Sequence, residues 1–110
     1  MANFTKTLAD GQAASPGPTS VYAPPALTKA LIRQMTVTNI ATTVVTLTVQ
    51  VTTKTAGTPR TIISARNVAV NEAYLCPEIL NCVIDVGGAI LIGASQATAL
   101  NYVISGVEIT

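Results

Sequence analysis

The side chains in this sequence that could do chemistry are few and scattered. Glu72 and Glu78 lie close enough in sequence to be paired as general acid and general base. Cys76 and Cys82 could close a short loop as a disulfide. Catalytic triads and dyads need a base, and most use His; this chain has 0 His. A Lys base would still need an activated Ser. The nearest approach to a G-x-S-x-G turn, Gly93-Ala94-Ser95-Gln96, lacks the second Gly. Metal sites need grouped His, Cys or carboxylates, and 2 Cys with 5 dispersed acids do not supply four ligands. Gly87-Gly88 lacks the Lys-[ST] of a phosphate loop and reads as a hairpin turn. Glu72 and Glu78 read as turn residues facing water, and the cysteines as small buried hydrophobes with free thiols. The expectation is a chain that is not an enzyme and holds no cofactor or metal.

The elements that carry these residues read as strands. Residues 36–54 (TVTNIATTVVTLTVQVTTK) are almost all β-branched or polar. From Val44 onward, Val45, Leu47, Val49 and Val51 fall on one side of an extended chain, and Thr46, Thr48 and Gln50 on the other. A period of two marks a strand with one dry and one wet face. A helix would scatter these residues and restrict χ1 at each β-branched position.

The rest of the chain follows the same grammar. A first strand over 4–8, anchored by Phe4 and Leu8, ends at the turn signal Asp10-Gly11. Pro16-Gly17-Pro18 marks a loop or extended arm, and a short strand over 20–23 is cut by Pro24-Pro25. Residues 26–39 admit a helix through Leu27, Ala30, Leu31 and Gln34. The preferred reading is a strand with Leu31, Met35 and Val37 inward, entered near Leu31 so that Arg33 sits at the rim. After a turn over 39–43 and the organising strand, strands are expected over 60–65, broken at Arg66-Asn67, and over 68–70. Tyr74-Leu75 leads to Pro77, which suits an edge or corner. Residues 79–84 and 89–95 pair across Asp85-Val86-Gly87-Gly88, with Gly93 a candidate bulge or close backbone approach. In the last strand, 99–109, Leu100, Tyr102 and Ile104 point inward. A bulge at Ser105-Gly106 would return Val107 and Ile109 to the core. The fold class is all-β: one antiparallel β-sandwich, jelly-roll-like, of about eight strands with an extended Pro-containing N-terminal segment. Residues 1–25 form an N-terminal strand and Pro-rich arm, and 26–110 the sandwich core, within one domain.

Composition bounds the partners. Of the 110 residues, 49% are hydrophobic, 4% aromatic and 10% charged, against about 25% charged in an average soluble domain. Obligate interfaces are depleted in charge, so the shortage points to a surface partly covered by other subunits. The net charge is +1, and Lys6, Lys29, Arg33, Lys54, Arg60 and Arg66 are spread along the chain. Nucleic-acid binders cluster such residues, so no direct nucleic-acid contact is expected. No run approaches the roughly 18–20 apolar residues of a membrane helix. Met1–Asp10 has no apolar h-region, so assembly in a reducing cytoplasm is expected.

Four stretches together resemble small virion proteins of tailed bacteriophages, among them decoration (cement) proteins of the head and β-sandwich modules of collars, tails and fibres. They are Val21-Tyr22-Ala23-Pro24 leading to Met35-Thr36-Val37-Thr38-Asn39; the Val/Thr strand over 44–51; Asn71-Glu72-Ala73-Tyr74-Leu75; and the Gly-Gly turn running into Asn101-Tyr102-Val103-Ile104-Ser105-Gly106-Val107-Glu108-Ile109. The similarity spans about residues 20–110. It implies a non-enzymatic structural subunit acting in many copies: a capsid decoration protein, or alternatively a tail, collar or fibre component forming a ring or trimer. The implied partners are other virion proteins, either the major capsid protein or tail and collar proteins, together with further copies of the chain. The implied location is the virion. Exposed edges and few charges would suit strand addition or side-by-side packing. The arm, stiffened by Pro16, Pro18, Pro24 and Pro25 and carrying Tyr22, could lie across a neighbour at low entropic cost. A carbohydrate-binding module is a third reading, but sugar platforms rely on exposed aromatics and the chain has 0 Trp and 3 Tyr.

Overall fold

Nine strands in two antiparallel sheets are seen in the computed structural model, which describes residues 3–13, 15, 17–53 and 57–110. In chain order they are β1 (Asn3–Gln12), β2 (Thr19–Tyr22), β3 (Lys29–Asn39), β4 (Val45–Thr52), β5 (Arg60–Val68), β6 (Ala73–Tyr74), β7 (Val83–Ile84), β8 (Ala89–Ala94) and β9 (Leu100–Ile109). A single 3-10 turn, Pro77–Ile79, separates β6 from β7. One sheet runs β1-β9-β3-β6 with β7 also on β3, and the other runs β2-β8-β4-β5. The two inner faces close on each other, and the chain is the all-β sandwich its sequence announced.

The organising strand behaves as its period requires. Val45, Leu47, Val49 and Val51 are buried and the intervening Thr46, Thr48, Gln50 and Thr52 half-buried. Each inward side chain contributes about 1.5–3 kcal/mol of hydrophobic burial. Opposite them, Met35, Val37, Leu100 and Ile104 complete the core. Residues 29–39 are strand rather than helix, since β-branched and apolar residues here find partners on both sides.

Several sequence expectations are corrected. The first strand does not stop at Asp10-Gly11 but continues to Gln12, because Gly11 and Gln12 go on pairing with Tyr102 and Asn101 of β9. Leu8 packs partly against the core; the Phe4 side chain lies outside the described set. Leu31 is not inward: Ala30 and Ile32 are, and the parity changes at Arg33, an extra residue between Ile32↔Gly106 and Gln34↔Ser105. Arg33 thereby reaches solvent without breaking the strand. The expected bulge at Ser105-Gly106 is absent from β9. The extra residues sit instead in its neighbours: Leu8 of β1, between the partners of Ser105 and Ile104, and Arg33 of β3, between those of Gly106 and Ser105. A Cβ on Gly106 would collide with the Leu31 carbonyl, so glycine permits the close approach. Parity in β9 is therefore kept, which turns Glu108 inward and leaves Val107 and Ile109 half-buried.

The expected break at Arg66-Asn67 is also absent. The chain from Arg60 to Val68 is one strand whose register against β4 shifts twice. Of residues 79–84 only Val83–Ile84 are strand; ahead of them Asn81 N–H bonds to the Ile32 carbonyl at 2.7 Å, and Ile32 N–H to that of Cys82 at 2.9 Å. The Gly87-Gly88 turn exists, but it carries the chain from one sheet to the other: β7 pairs with β3, and β8 with β2 and β4. A Cβ on Gly88 would press on the Thr52 carbonyl, which is why a glycine stands at this crossing. The β4–β8 register runs unbroken through Thr48↔Gly93, so Gly93 is no bulge.

Candidate interaction surface

The residues with chemical potential are each engaged locally. Glu72 accepts the Ala69 N–H at 2.8 Å, and Glu78 accepts the Tyr74 hydroxyl at 2.7 Å. They serve two different turns and do not face one another as an acid–base pair. Cys76 and Cys82 are free thiols. Burial pushes Cys76 up to about 12 and raises Cys82 as well, which suppresses the nucleophilic thiolate. Among the described residues no three His, Cys, Asp or Glu gather at one point, and no helix is long and apolar enough to cross a membrane.

The strongest polar cluster lies inside one end of the sandwich. Glu108 of β9 is 6% exposed. It accepts the Tyr22 hydroxyl at 2.6 Å and pairs with the Lys6 ammonium at 3.1 Å. A buried charge needs such partners to offset its lost hydration. The Tyr22 hydrogen bond, opposed by burial and assisted by Lys6, holds the Glu108 carboxyl below its ordinary 4.5. Burial, and then Glu108, push the Tyr22 phenol well above its ordinary 10.0. The cluster joins β1, β2 and β9. It fastens the N-terminal segment to the rest of the fold from within, and sequence reasoning missed it. The signal was present in the uninterrupted parity of residues 100–108, which puts a carboxylate in the core.

Of the arm residues expected to make contacts, Pro16 lies outside the described residues. Pro18 and Pro24 are half-buried and Pro25 is exposed, its carbonyl accepting the Thr28 N–H at 3.1 Å. Tyr22 is turned inward onto Glu108. The other two tyrosines offer no open ring either. Tyr102 is buried, and Tyr74 carries the Arg66 guanidinium 4.0 Å above its centre. Burial, then the bond to Glu78, push the Tyr74 phenol up to about 12.

What remains for an external partner is strand edges and sheet faces. The open edge of β1 is blunted by the Leu8 bulge and by Lys6, an edge charge turned toward the sandwich interior; the open edge of β5 is blunted by its two register shifts. Both are devices that discourage strand addition. The outer faces differ. On the β2-β8-β4-β5 sheet, Thr46, Thr48, Gln50 and Thr52 line the middle, the Gln50 amide reaches the Thr61 hydroxyl at 3.2 Å, and the Thr48 hydroxyl accepts the Ala65 N–H at 3.2 Å. On the other sheet, the register aligns Thr5, Val107, Leu31 and Val83 in one row across four strands. Val83 is 49% exposed, and Leu27, just ahead of β3, is 84% exposed.

The chain matches no family model and no curated protein. Solved structures do match. "Structure of infectious bursal disease virus Gx strain" aligns over 97% of this chain and 30% of that chain, with a TM-score of 0.55 and 11% identity. The likeness is one of fold. "Crystal structure of infectious bursal disease virus VP2 subviral particle" aligns over 97% of this chain and 31% of that one at 17% identity, with a TM-score of 0.49. The present chain thus spans less than a third of the length of the chains it matches.

Proposed function

We propose that this chain is a non-enzymatic structural subunit of a virus particle, acting as a decoration (cement) protein on the head of a tailed bacteriophage. The observation that carries the reading is the two-sheet sandwich, shared over nearly its whole length with a chain of infectious bursal disease virus. Two further features support it. Only 10% of residues are charged, which suits a surface covered by neighbours. The potentially reactive Glu side chains are held in turns, and the Cys thiols are buried at Cys76 and half-buried at Cys82. In this role many copies sit at symmetry axes, assembled in the host cytoplasm, and bridge adjacent capsid subunits against the pressure of packaged DNA. The Pro-rich segment lies across a neighbour, with Pro25 on the outside and Tyr22 anchoring the strand behind it.

A mass-spectrometric inventory of purified particles, with and without tails, tests the reading. Copies in the hundreds that stay with tailless heads are the expected result. A few dozen copies lost with the tails would move the protein to a collar, tail or fibre. Absence from every particle would end the virion assignment altogether. A carbohydrate-binding role is disfavoured by the closed Tyr22, Tyr74 and Tyr102 rings, and a glycan array should show no binding.

A further inference from the structure

We propose that the outer face of the β1-β9-β3 sheet, at its β7 end, docks against the same face of a second copy of this chain across a two-fold axis, centred on the row Val107, Leu31 and Val83. The proposal rests on the reading of the chain as an assembling subunit and names one of its contact surfaces. The row is a register fact: Val107 and Val83 flank Leu31 on either side, with the buried Glu108, Ala30 and Ile84 one step along on the inner face. From Thr5 to Val83 it crosses three strand spacings, about 14 Å. The row is apolar on an outer face that also carries Thr5, Thr7, Gln34, Thr36 and Ser105, with Val103 a further exposed apolar side chain on the same face, and apolar surface of this kind gains from being covered.

The rim says what covers it. Lys29 is directly opposite Ile109 on the outer face, and Arg33 is the bulged residue just past Leu31. Both are exposed, and neither has an ion-pair partner among the described residues. Asp85, also exposed, follows β7 immediately. An anionic partner such as nucleic acid or a lipid surface would be opposed by Asp85. A copy of the same face carries both signs, so that Lys29 and Arg33 of one protomer meet Asp85 of the other, twice, as two-fold symmetry requires. The alternatives are less suited: the β1 and β5 edges are blunted, and the opposite outer face satisfies its own hydrogen bonds.

Sedimentation equilibrium of the full chain is the test, with a concentration-dependent monomer–dimer mass expected. Val83→Glu, at a position already half open to water, should keep the circular-dichroism spectrum and melting temperature while weakening self-association at least about tenfold. Lys29→Glu with Arg33→Glu should weaken it as well, and so should Asp85→Lys. Mixing these two charge variants should restore a dimer containing one of each. Thr61→Glu, on the other sheet, should leave the mass unchanged. A monomer at every concentration up to about 1 mM overturns the proposal. So does an oligomer indifferent to Val83→Glu, or a pair of charge variants that fail to rescue each other. Particle composition is read separately. A monomeric chain found in virions would sink this contact alone, while a dimer absent from all particles would sink only the virion reading.

Discussion

The two sheets of this sandwich solve the same problem in different ways. The β2-β8-β4-β5 sheet is built around β4 and β8, whose register runs without interruption from Leu47↔Ala94 to Thr52↔Ala89. Its inner face is aliphatic but for Tyr22, and the middle of its outer face is lined by Thr and Gln that bond to neighbouring strand residues. The β1-β9-β3 sheet is built around β9, which keeps its own parity while both neighbours absorb an extra residue beside Ser105. The result is a buried carboxylate on the inside and an apolar row on the outside, the reverse of the usual allocation. The lesson is that a bulge moves a problem from one strand to the next, and the strand that stays straight must then accept whatever its sequence places inward.

Four experiments bear on that contrast. The largest effect is expected in the regular sheet. Val49 is fully buried, so Val49→Asp sets an unpaired charge in the core and should cost about 3–5 kcal/mol, enough to abolish a cooperative thermal transition. Normal melting would show that the inner face of β4 has been misassigned. Next comes the straight strand. Gly106→Ala forces a Cβ onto the Leu31 carbonyl and should lose about 1–3 kcal/mol in urea unfolding. A neutral outcome would mean that the bulges at Leu8 and Arg33 do not depend on the nearby glycine.

The third concerns Glu108. Its folded-state carboxyl lies below the ordinary 4.5, so the unfolded chain binds more protons in the window between the two values. The stabilisation is complete above about pH 5 and is lost as pH falls through the folded value. For Tyr22 the shift is upward from 10.0, so its contribution is intact below pH 10 and declines above it. Glu108→Gln should lower stability at neutral pH by about 1–3 kcal/mol and flatten the acid limb of a melting-temperature-against-pH curve. An acid limb unchanged in the variant would assign the loss to other carboxylates. The smallest effect is on the polar outer face. Thr48→Val removes the acceptor for the Ala65 N–H and should change stability by about 0.5 kcal/mol, which chemical denaturation with replicate curves can resolve.

The same contrast explains what could be read from the sequence. β4 was legible because eight residues alternate without a break and each position has one plausible face. β3 was legible as a strand but not in its first half, since nothing local distinguishes a rim Arg33 from a bulged Arg33. Gly87-Gly88 was recognised as a turn but expected to close a hairpin, since which sheet follows a turn depends on partners fixed far along the chain. Glu108 went unnoticed in the sequence because the bulge expected at Ser105-Gly106 was placed to return Val107 and Ile109 to the core. The tyrosine that justifies it is 86 positions away, a separation that residue spacing does not bridge. The outer row of Val107, Leu31 and Val83 draws on three strands and has no trace in any one of them.

One register pair has a practical consequence. Asn3 stands opposite Ile109, which in turn stands opposite Lys29, so cargo joined beside Asn3 or beside Ile109 emerges from a single corner of the sandwich. That corner adjoins the face assigned to a second copy. A bulky tag joined beside Asn3 or Ile109 would shield it sterically, and a protein freed of such a tag is the one whose mass in solution carries meaning.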